Sequence, residues 1–232
     1  MSLTNNEILS VAKSPAALHV YRDQATSEDL IKIVDATCAG YSTKNLETLI
    51  EIITKNNLSI LTDNVKYEIL YKVSTSSKNQ RAVYYRVPDI CGAFNKYKIQ
   101  IPDYVMNRVI PDIIANKKTS DKDKAGAIKS ILYYMNPKLT HENIAKVMAA
   151  TEKINPNINF WHEVCVNIIR HLLNDKDFLC ILKYDKMFEV LQLGNPTLAT
   201  EIIRSMFTKE NIDAFIYLCC KNGGLLFTDD NR

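Results

Sequence analysis

The chain has 232 residues, of which 47% are hydrophobic and 24% charged, a balance that excludes an intrinsically disordered protein. Its formal net charge is only +3, which excludes a general polyanion binder, so any nucleic-acid surface must be local. With 6 Gly and 7 Pro, it holds too few turn residues for an all-β sandwich and too few glycines for a phosphate-binding loop.

Helices are predicted along most of the chain, because apolar residues recur at the i, i+3, i+4 and i+7 positions of one helix face. We expect about 65% helix or more, in roughly 11–13 helices. A weak strand pattern at residues 97–101 is the exception. The stripes, in chain order, are Leu30, Ile33, Val34, Thr37 and Cys38; Leu46, Leu49, Ile50 and Ile53; Val65, Ile69, Leu70 and Val73; Val105, Val109 and Ile113; Ile128, Ile131, Leu132 and Met135; Ile144, Val147 and Met148; Val164, Ile168, Ile169 and Leu172; Met187, Val190 and Leu191; Leu198, Ile202, Ile203 and Met206; and Ile212, Phe215, Ile216 and Cys219.

Capping residues predict where several of these helices begin and end. Thr26, Ser120 and Thr140 each stand three positions before a polar side chain, the spacing of a helix N-terminus whose free N–H groups are capped. Gly40 predicts a helix end in the left-handed conformation. Two prolines, Pro88 and Pro111, fall inside helical patterns and predict a kink or an early break.

The order of helices and breaks recurs along the chain. Residues 27–56, 77–118 and 120–153 each read as a helix, a short link and a second helix, with a degenerate spacing of about 37–50 residues. Because short helices bury one stripe each most simply as stacked hairpins, the sequence predicts an all-α fold, an α-solenoid of antiparallel helical hairpins. We expect one domain over residues 1–232, with an N-terminal cap at 1–25, repeats at 26–173 and C-terminal helices and a tail at 174–232.

Three segments carry a family resemblance: EILSVAKSPAAL at 7–18, SEDLIKIVDATC at 27–38, and DICGAFNKY at 89–97, followed by helical patterns at 104–114 and 120–135. Over residues 8–173 the chain resembles octotricopeptide and FAST-kinase-like helical-repeat proteins. That resemblance implies an organellar protein that binds RNA or is built into a mitochondrial ribosome or respiratory assembly. Family members that act on RNA often end in a small α/β domain of the RAP type, which we do not expect before Arg232, so a binding or structural role is favoured.

The cysteines and the absence of long apolar runs limit the cellular compartments in which the chain is expected. No apolar run reaches the roughly 20 residues that a membrane span requires, although peripheral membrane contact is compatible with the sequence. The N-terminus resembles no secretory signal and is too poor in basic residues for a mitochondrial presequence. The six cysteines lie in apolar stretches without metal-binding spacing, so we interpret them as reduced core thiols of a reducing compartment: Cys38, Cys91, Cys165, Cys180, Cys219 and Cys220.

No catalytic or cofactor-binding motif is present in the sequence, so we predict no enzymatic activity, no catalytic residues, no metal site and no cofactor. His141-Glu142 and His162-Glu163 begin like zinc-protease motifs, but each lacks the second histidine, and we interpret both as helix starts or exposed helix faces. The other candidate ligands and paired carboxylates are interpreted as core or turn residues: His162, Cys165, His171, Asp175 and Asp177.

One segment is unusually rich in basic residues that lie close to aromatic ones. Residues 66–129 hold 13 Lys and Arg against 6 Asp and Glu, and basic residues alternate there with aromatic ones. Cations beside stacking surfaces are typical of single-stranded nucleic-acid binding. Core aromatics with solvated cations, or docking onto an acidic protein or an anionic lipid, explain the same pattern. The candidate RNA-binding residues are Lys78, Arg81, Tyr84, Tyr85, Arg86, Lys96 and Lys98.

These observations favour a scaffold that joins other protein subunits in a larger, mitochondrial assembly such as an ATP synthase, a respiratory complex or a mitoribosome. The first alternative is an organellar protein that binds single-stranded RNA through the basic and aromatic face at 78–98. The second alternative is a viral or cytosolic α-helical interaction protein.

Overall fold

The computed structural model describes residues 2–40, 43–56, 59–76, 80–152 and Ile168, and the account below concerns these residues. Within them the chain is all-helical, with nine α-helices, a short 3₁₀ turn at Pro15–Ala17 and no strand, which confirms the predicted all-α class. The helices are α1 (Asn5–Lys13), α2 (Leu18–Tyr21), α3 (Ser27–Gly40), α4 (Thr43–Lys55), α5 (Asp63–Thr75), α6 (Gln80–Lys96), α7 (Asp103–Ala115), α8 (Asp121–Met135) and α9 (His141–Glu152).

The predicted apolar stripes form the core. In α3, the side chains of Leu30, Ile33 and Val34 are fully buried, and the stripes of α4, α5, α7 and α8 are buried in the same way, apart from the half-exposed Met135. Helix α6 adds the fully buried side chains of Ile90 and Phe94 to the core. Burying each large apolar side chain contributes roughly 1.5–3 kcal/mol, which is what holds such short helices in place.

The predicted helix starts are confirmed. At α3, the Asp29 N–H donates to Thr26 Oγ1 at 3.2 Å and the Thr26 N–H donates back to the Asp29 carboxylate at 3.1 Å. The Asp123 N–H donates to Ser120 Oγ at the start of α8, and the Asn143 N–H donates to Thr140 Oγ1 at the start of α9. The sequence interpretation missed two N-terminal capping residues, Thr4 before α1 and Thr62 before α5.

Two predicted chain breaks differ in detail. The described part of α3 runs to Gly40, and Gly40 is not in the left-handed conformation that the sequence predicts there. Residues 97–101 form no strand; they close α6 with a turn in which Lys98 has a φ of 54°. The Lys98 N–H donates to the Asn95 carbonyl and the Ile99 N–H to the Phe94 carbonyl, so local bonds satisfy the free carbonyls of the helix end.

Residues Met1–Asn143 form one compact unit, in which alternate helices pack together. Helices α1, α3, α5 and α7 each pack against the next in that order and form the first row. Helices α4, α6 and α8 form the second row, and α3–α4, α5–α6 and α7–α8 contacts join the two rows.

The pairs of consecutive helices that pack together differ in part from the predicted pairs. The sequence interpretation joins α6 to α7 within residues 77–118, whereas α6 packs against α4, α5 and α8. Helices α3 and α4 pack together as predicted, but the next packed pairs are α5–α6 and α7–α8 rather than α6–α7. Periodicity shows which face of a helix is apolar but not which neighbouring helix covers it. The expected domain limits, which run to residue 232, extend outside the described residues and stay predictions.

Side-chain bonds fix the direction of the first row. Between α5 and the segment formed by α7 and the turn after it, they occur in the same order along both, from Asp63–Tyr104 through Tyr67–Asp112 and Tyr71–Asn116 to Thr75–Thr119. Only parallel helices can pair their residues in this order. We call these side-chain bonds between neighbouring helices of the first row rungs.

The rungs continue between α3 and α5. Lys72 Nζ lies 2.8 Å from an Asp35 carboxylate oxygen, and Ser76 Oγ donates to the Cys38 carbonyl at 3.0 Å. The Ser76 and Thr119 hydroxyls therefore play equivalent parts. Each lies after a helix of the first row, α5 or α7, and donates to a carbonyl near the C-terminal end of the preceding helix in that row. Such bonds satisfy carbonyls that a helix end leaves free.

Neither internal proline ends its helix, because α6 continues beyond Pro88 and α7 continues beyond Pro111. Pro111 has no N–H to donate to the carbonyl of Asn107, four residues earlier. That carbonyl instead accepts a hydrogen bond from Asn143 Nδ2 at 2.7 Å, and Asn107 Oδ1 accepts the Thr140 N–H at 2.8 Å. Because Pro111 leaves the Asn107 carbonyl free, Asn107 can bind both Thr140, which precedes α9, and Asn143 in the first turn of α9.

This arrangement predicts a coupling between Pro111 and Asn143. We expect Asn143→Ala to lower the free energy of unfolding by about 1–2 kcal/mol, because it leaves the Asn107 carbonyl without its donor. In a Pro111→Ala background about half of that loss should disappear, because alanine restores a backbone N–H for the same carbonyl. Urea denaturation of the four proteins measures the coupling, expected at about 1 kcal/mol. Asn45→Ala, which removes bonds to Ala12 and Lys13 carbonyls, should be additive with Pro111→Ala; additivity for Asn143→Ala as well would contradict the interpretation.

Candidate functional site

The described residues include only part of the predicted RNA-binding face. Lys78 lies outside them, and so do the side chains of Arg81, Tyr84 and Tyr85. The remaining three predicted residues are Arg86, Lys96 and Lys98. The proposed face over residues 78–98 therefore stays a prediction, and the geometry below concerns the helices around Lys96.

Those three basic residues have different surroundings. Arg86 is half-buried, and its charge acts on the thiol of Cys38 in α3. Lys96 is exposed near the end of α6, where its Nζ lies 5.1 Å from the centre of the Tyr97 ring. Lys98 is exposed in the turn that follows. Of the three, only Lys96 lines the groove described next.

A surface groove runs across the second row of helices. Its volume is about 490 Å³, and it is bounded by one face of α4, one face of α6 and the end of α8. Its floor includes Pro88, Gly92 and Ala93, and its rim carries Tyr97 and Tyr134. The charged residues of this α4–α6–α8 groove are Lys44, Glu47, Glu51, Asp89 and Lys96.

Two carboxylates of the groove have unfavourable surroundings. Burial raises the pKa of Glu47, and repulsion from Asp89 raises it further, while Lys44 and Lys96 partly offset the effect. Burial also raises the pKa of Asp89. The third carboxylate differs, because Glu51 is ion-paired with Lys55 at 2.5 Å. Among the described residues, Glu47 and Asp89 form no ion pair, and carboxylates held in this way are frequent at functional sites.

A second cavity of about 310 Å³ adjoins the groove and shares Pro88 and Tyr134 with it. It is lined in addition by Lys129 and Tyr133 of α8, and burial lowers the pKa of Lys129. Tyr133 is 65% exposed and packs edge to face against Tyr134, with ring centres 5.0 Å apart. The two cavities therefore offer carboxylates at one end and exposed aromatic rings at the other.

Gly92 has no evident role in packing. A Cβ atom added to it would meet no atom within 4 Å, so the groove is open above this position. A glycine inside a helix costs about 0.5–1 kcal/mol relative to alanine. Glycine is typically found where a backbone or ligand approaches closely, and nothing within the described chain makes such an approach here.

The sequence interpretation missed this groove. A signal was present, because Lys44, Glu47 and Glu51 share one face of α4, and Asp89, Gly92 and Lys96 share one face of α6. Periodicity could not show that these faces are neighbours, since α4 and α6 are separated in the chain by α5.

The histidine, glutamate and cysteine residues that the sequence raised as candidate ligands have ordinary structural positions where the structure describes them. His141 and Glu142 lie exposed in the first turn of α9, which confirms their interpretation as a helix start. Cys38 and Cys91 are free buried thiols whose pKa burial raises to about 12. Within the described residues no three His, Cys, Asp or Glu side chains are placed to hold a metal ion. The other four cysteines, together with His162, His171, Asp175 and Asp177, lie outside the described residues.

Across the part of the chain that the structure describes, none of the helices combines the length and the apolar character needed to cross a bilayer. Comparisons of the chain with protein-family models, curated proteins and solved structures gave no match.

Proposed function

We propose that the chain is a non-enzymatic scaffold, a structural subunit of a larger mitochondrial assembly, and that its hairpins stack as an α-solenoid. The observation that supports this proposal most strongly is the row of parallel helices joined by rungs at both ends. Rigid stacked helices present a broad, preorganised surface, which lowers the entropic cost of holding a partner.

The mitochondrial location has separate support. It rests on the resemblance of residues 8–173 to organellar helical-repeat proteins, and the free, buried thiols of Cys38 and Cys91 fit a reducing compartment. An ATP synthase, a respiratory complex and a mitoribosome are the assemblies in which we expect such a subunit.

Binding of single-stranded RNA is the second candidate function. It is favoured by the exposed ring of Tyr133, close to Tyr134 and Lys129, because aromatic rings beside cations stack bases and attract phosphates. It is disfavoured at Lys96, which shares its groove with Glu47 and Asp89, since two carboxylates repel a phosphate backbone.

Native purification tests the scaffold proposal. The tagged chain, expressed at its normal level and extracted in mild detergent, should migrate on a native gel far above its own 26.4 kDa and co-purify with the same partners in constant ratio. Recombinant chain alone provides the control for self-association. Migration of all the cellular protein as a free monomer, with no partner in constant ratio, would overturn the proposal.

A further inference from the structure

We propose that the α4–α6–α8 groove binds an arginine- or lysine-bearing segment of a partner protein, with the partner's backbone lying over Gly92. This inference rests on the proposed function, because it names the class of partner that such a scaffold would hold. The argument has three parts: the charges of the groove, the shape of its floor and the rings at its rim.

The charges favour a cationic occupant. Three carboxylates face the groove against two ammonium groups, although the chain as a whole is positive. Glu47 is half-buried and Asp89 is exposed, and neither has an ion pair within the described residues. A guanidinium or ammonium group placed between them would supply the missing counter-charge, whereas a phosphate would add to the repulsion.

The floor favours a polypeptide that approaches closely. Above Gly92 the space is open, and Ala93 is the only other small side chain of the floor, so a backbone can lie near the helix axis of α6.

The rim favours arginine. Tyr97 and Tyr134 border the same groove as the carboxylates, and a guanidinium plane stacks on a tyrosine ring while it donates to a carboxylate. The chain already contains this kind of contact elsewhere, since the Arg108 guanidinium lies 4.1 Å from the centre of the Tyr67 ring.

Fluorescence anisotropy with the purified full chain tests the inference. The probe is a labelled Ala-Arg-Ala-Arg-Ala peptide, and Ala-Gln-Ala-Gln-Ala is its uncharged counterpart. We expect the arginine peptide to bind and the glutamine peptide not to bind. Glu47→Gln combined with Asp89→Asn should weaken binding by about tenfold or more, because it removes two charge-assisted contacts.

Matched variants separate a local site from general attraction. Asp23→Asn combined with Glu28→Gln removes the same charge at exposed positions outside the groove and should change affinity less than about twofold. Gly92→Trp should fill the groove and abolish binding, while Gly92→Ala, which adds one methyl group in open space, should fold at least as stably as the natural chain. Circular dichroism verifies that each variant is folded.

Three results would overturn the inference: no binding of the arginine peptide, equal binding by the Glu47/Asp89 double variant, or an equal loss in the Asp23/Glu28 control. Tighter binding of oligouridylate by the Glu47/Asp89 double variant, with no effect on the arginine peptide, would assign the groove to RNA instead. Because these measurements use the isolated chain, they are independent of whether native purification recovers an assembly.

Discussion

Phe94→Ala should lower the free energy of unfolding by about 3–5 kcal/mol, the largest loss we expect from a single substitution in the described residues. Phe94 is fully buried in α6, the helix that packs against α4, α5 and α8. Truncating it removes most of a large side chain and leaves a cavity at a fully buried position. Urea denaturation followed by circular dichroism measures the loss.

Two controls make the Phe94 prediction specific. Phe94→Leu retains most of the volume and should cost about half as much or less. Asn95→Ala, at the next position, removes a single hydrogen bond from Asn95 Nδ2 to the Tyr134 carbonyl and should cost about 1 kcal/mol. A Phe94→Ala loss no larger than that of Asn95→Ala would show that α6 is not at the centre of the core.

Asp29→Asn should lower the free energy of unfolding at pH 7 by about 1.5–3 kcal/mol, the range for hydrogen bonds to a charged group. The Asp29 side chain is fully buried. Its carboxylate accepts hydrogen bonds from Ser2 Oγ, from Thr26 Oγ1 at 2.9 Å and from the Thr26 N–H. An asparagine amide at this position could accept only some of these three hydrogen bonds, because its NH₂ group is a donor and would point at the donors of Ser2 or Thr26.

The same residue predicts a pH dependence. Burial favours the neutral form of Asp29, but the hydrogen bonds from Ser2, Thr26 and the Leu3 backbone together outweigh it and hold the pKa below its ordinary value. A carboxyl with a lower pKa in the folded state stabilises the fold above the unfolded pKa of about 3.9 and loses that contribution as pH falls through the folded pKa. The difference between the natural chain and Asp29→Asn should therefore shrink in acid. A difference that stays constant from pH 7 to pH 3 would contradict this assignment.

Local features of the fold could be predicted from the sequence because their causes are local. The apolar stripes of α3, α4, α5 and α7 and the caps at Thr26, Ser120 and Thr140 lie within a few residues of the structure that they determine. The prolines were harder to interpret. Pro111 is tolerated inside α7 because Asn143, 32 positions later in the sequence, donates to the carbonyl that the proline leaves free.

The candidate site could be predicted only in part. The basic and aromatic pattern around Lys96 and Tyr97 drew attention to α6, but the carboxylates that share their groove come partly from another helix. Glu47 is 42 positions before Asp89, and no periodicity within one helix relates the two. Their proximity depends on α4 and α6 being neighbours in the second row, which follows from the packing of the whole unit.

The rungs of the first row have a consequence for how the chain is made. The rungs between neighbouring helices join residues 37–45 positions apart. Over that range the entropy of closing the intervening chain differs by only about 0.2 kcal/mol, so no pair has an entropic advantage over another. As synthesis proceeds from the N-terminus, each emerging helix meets a partner already made, and the row can assemble in the order of translation.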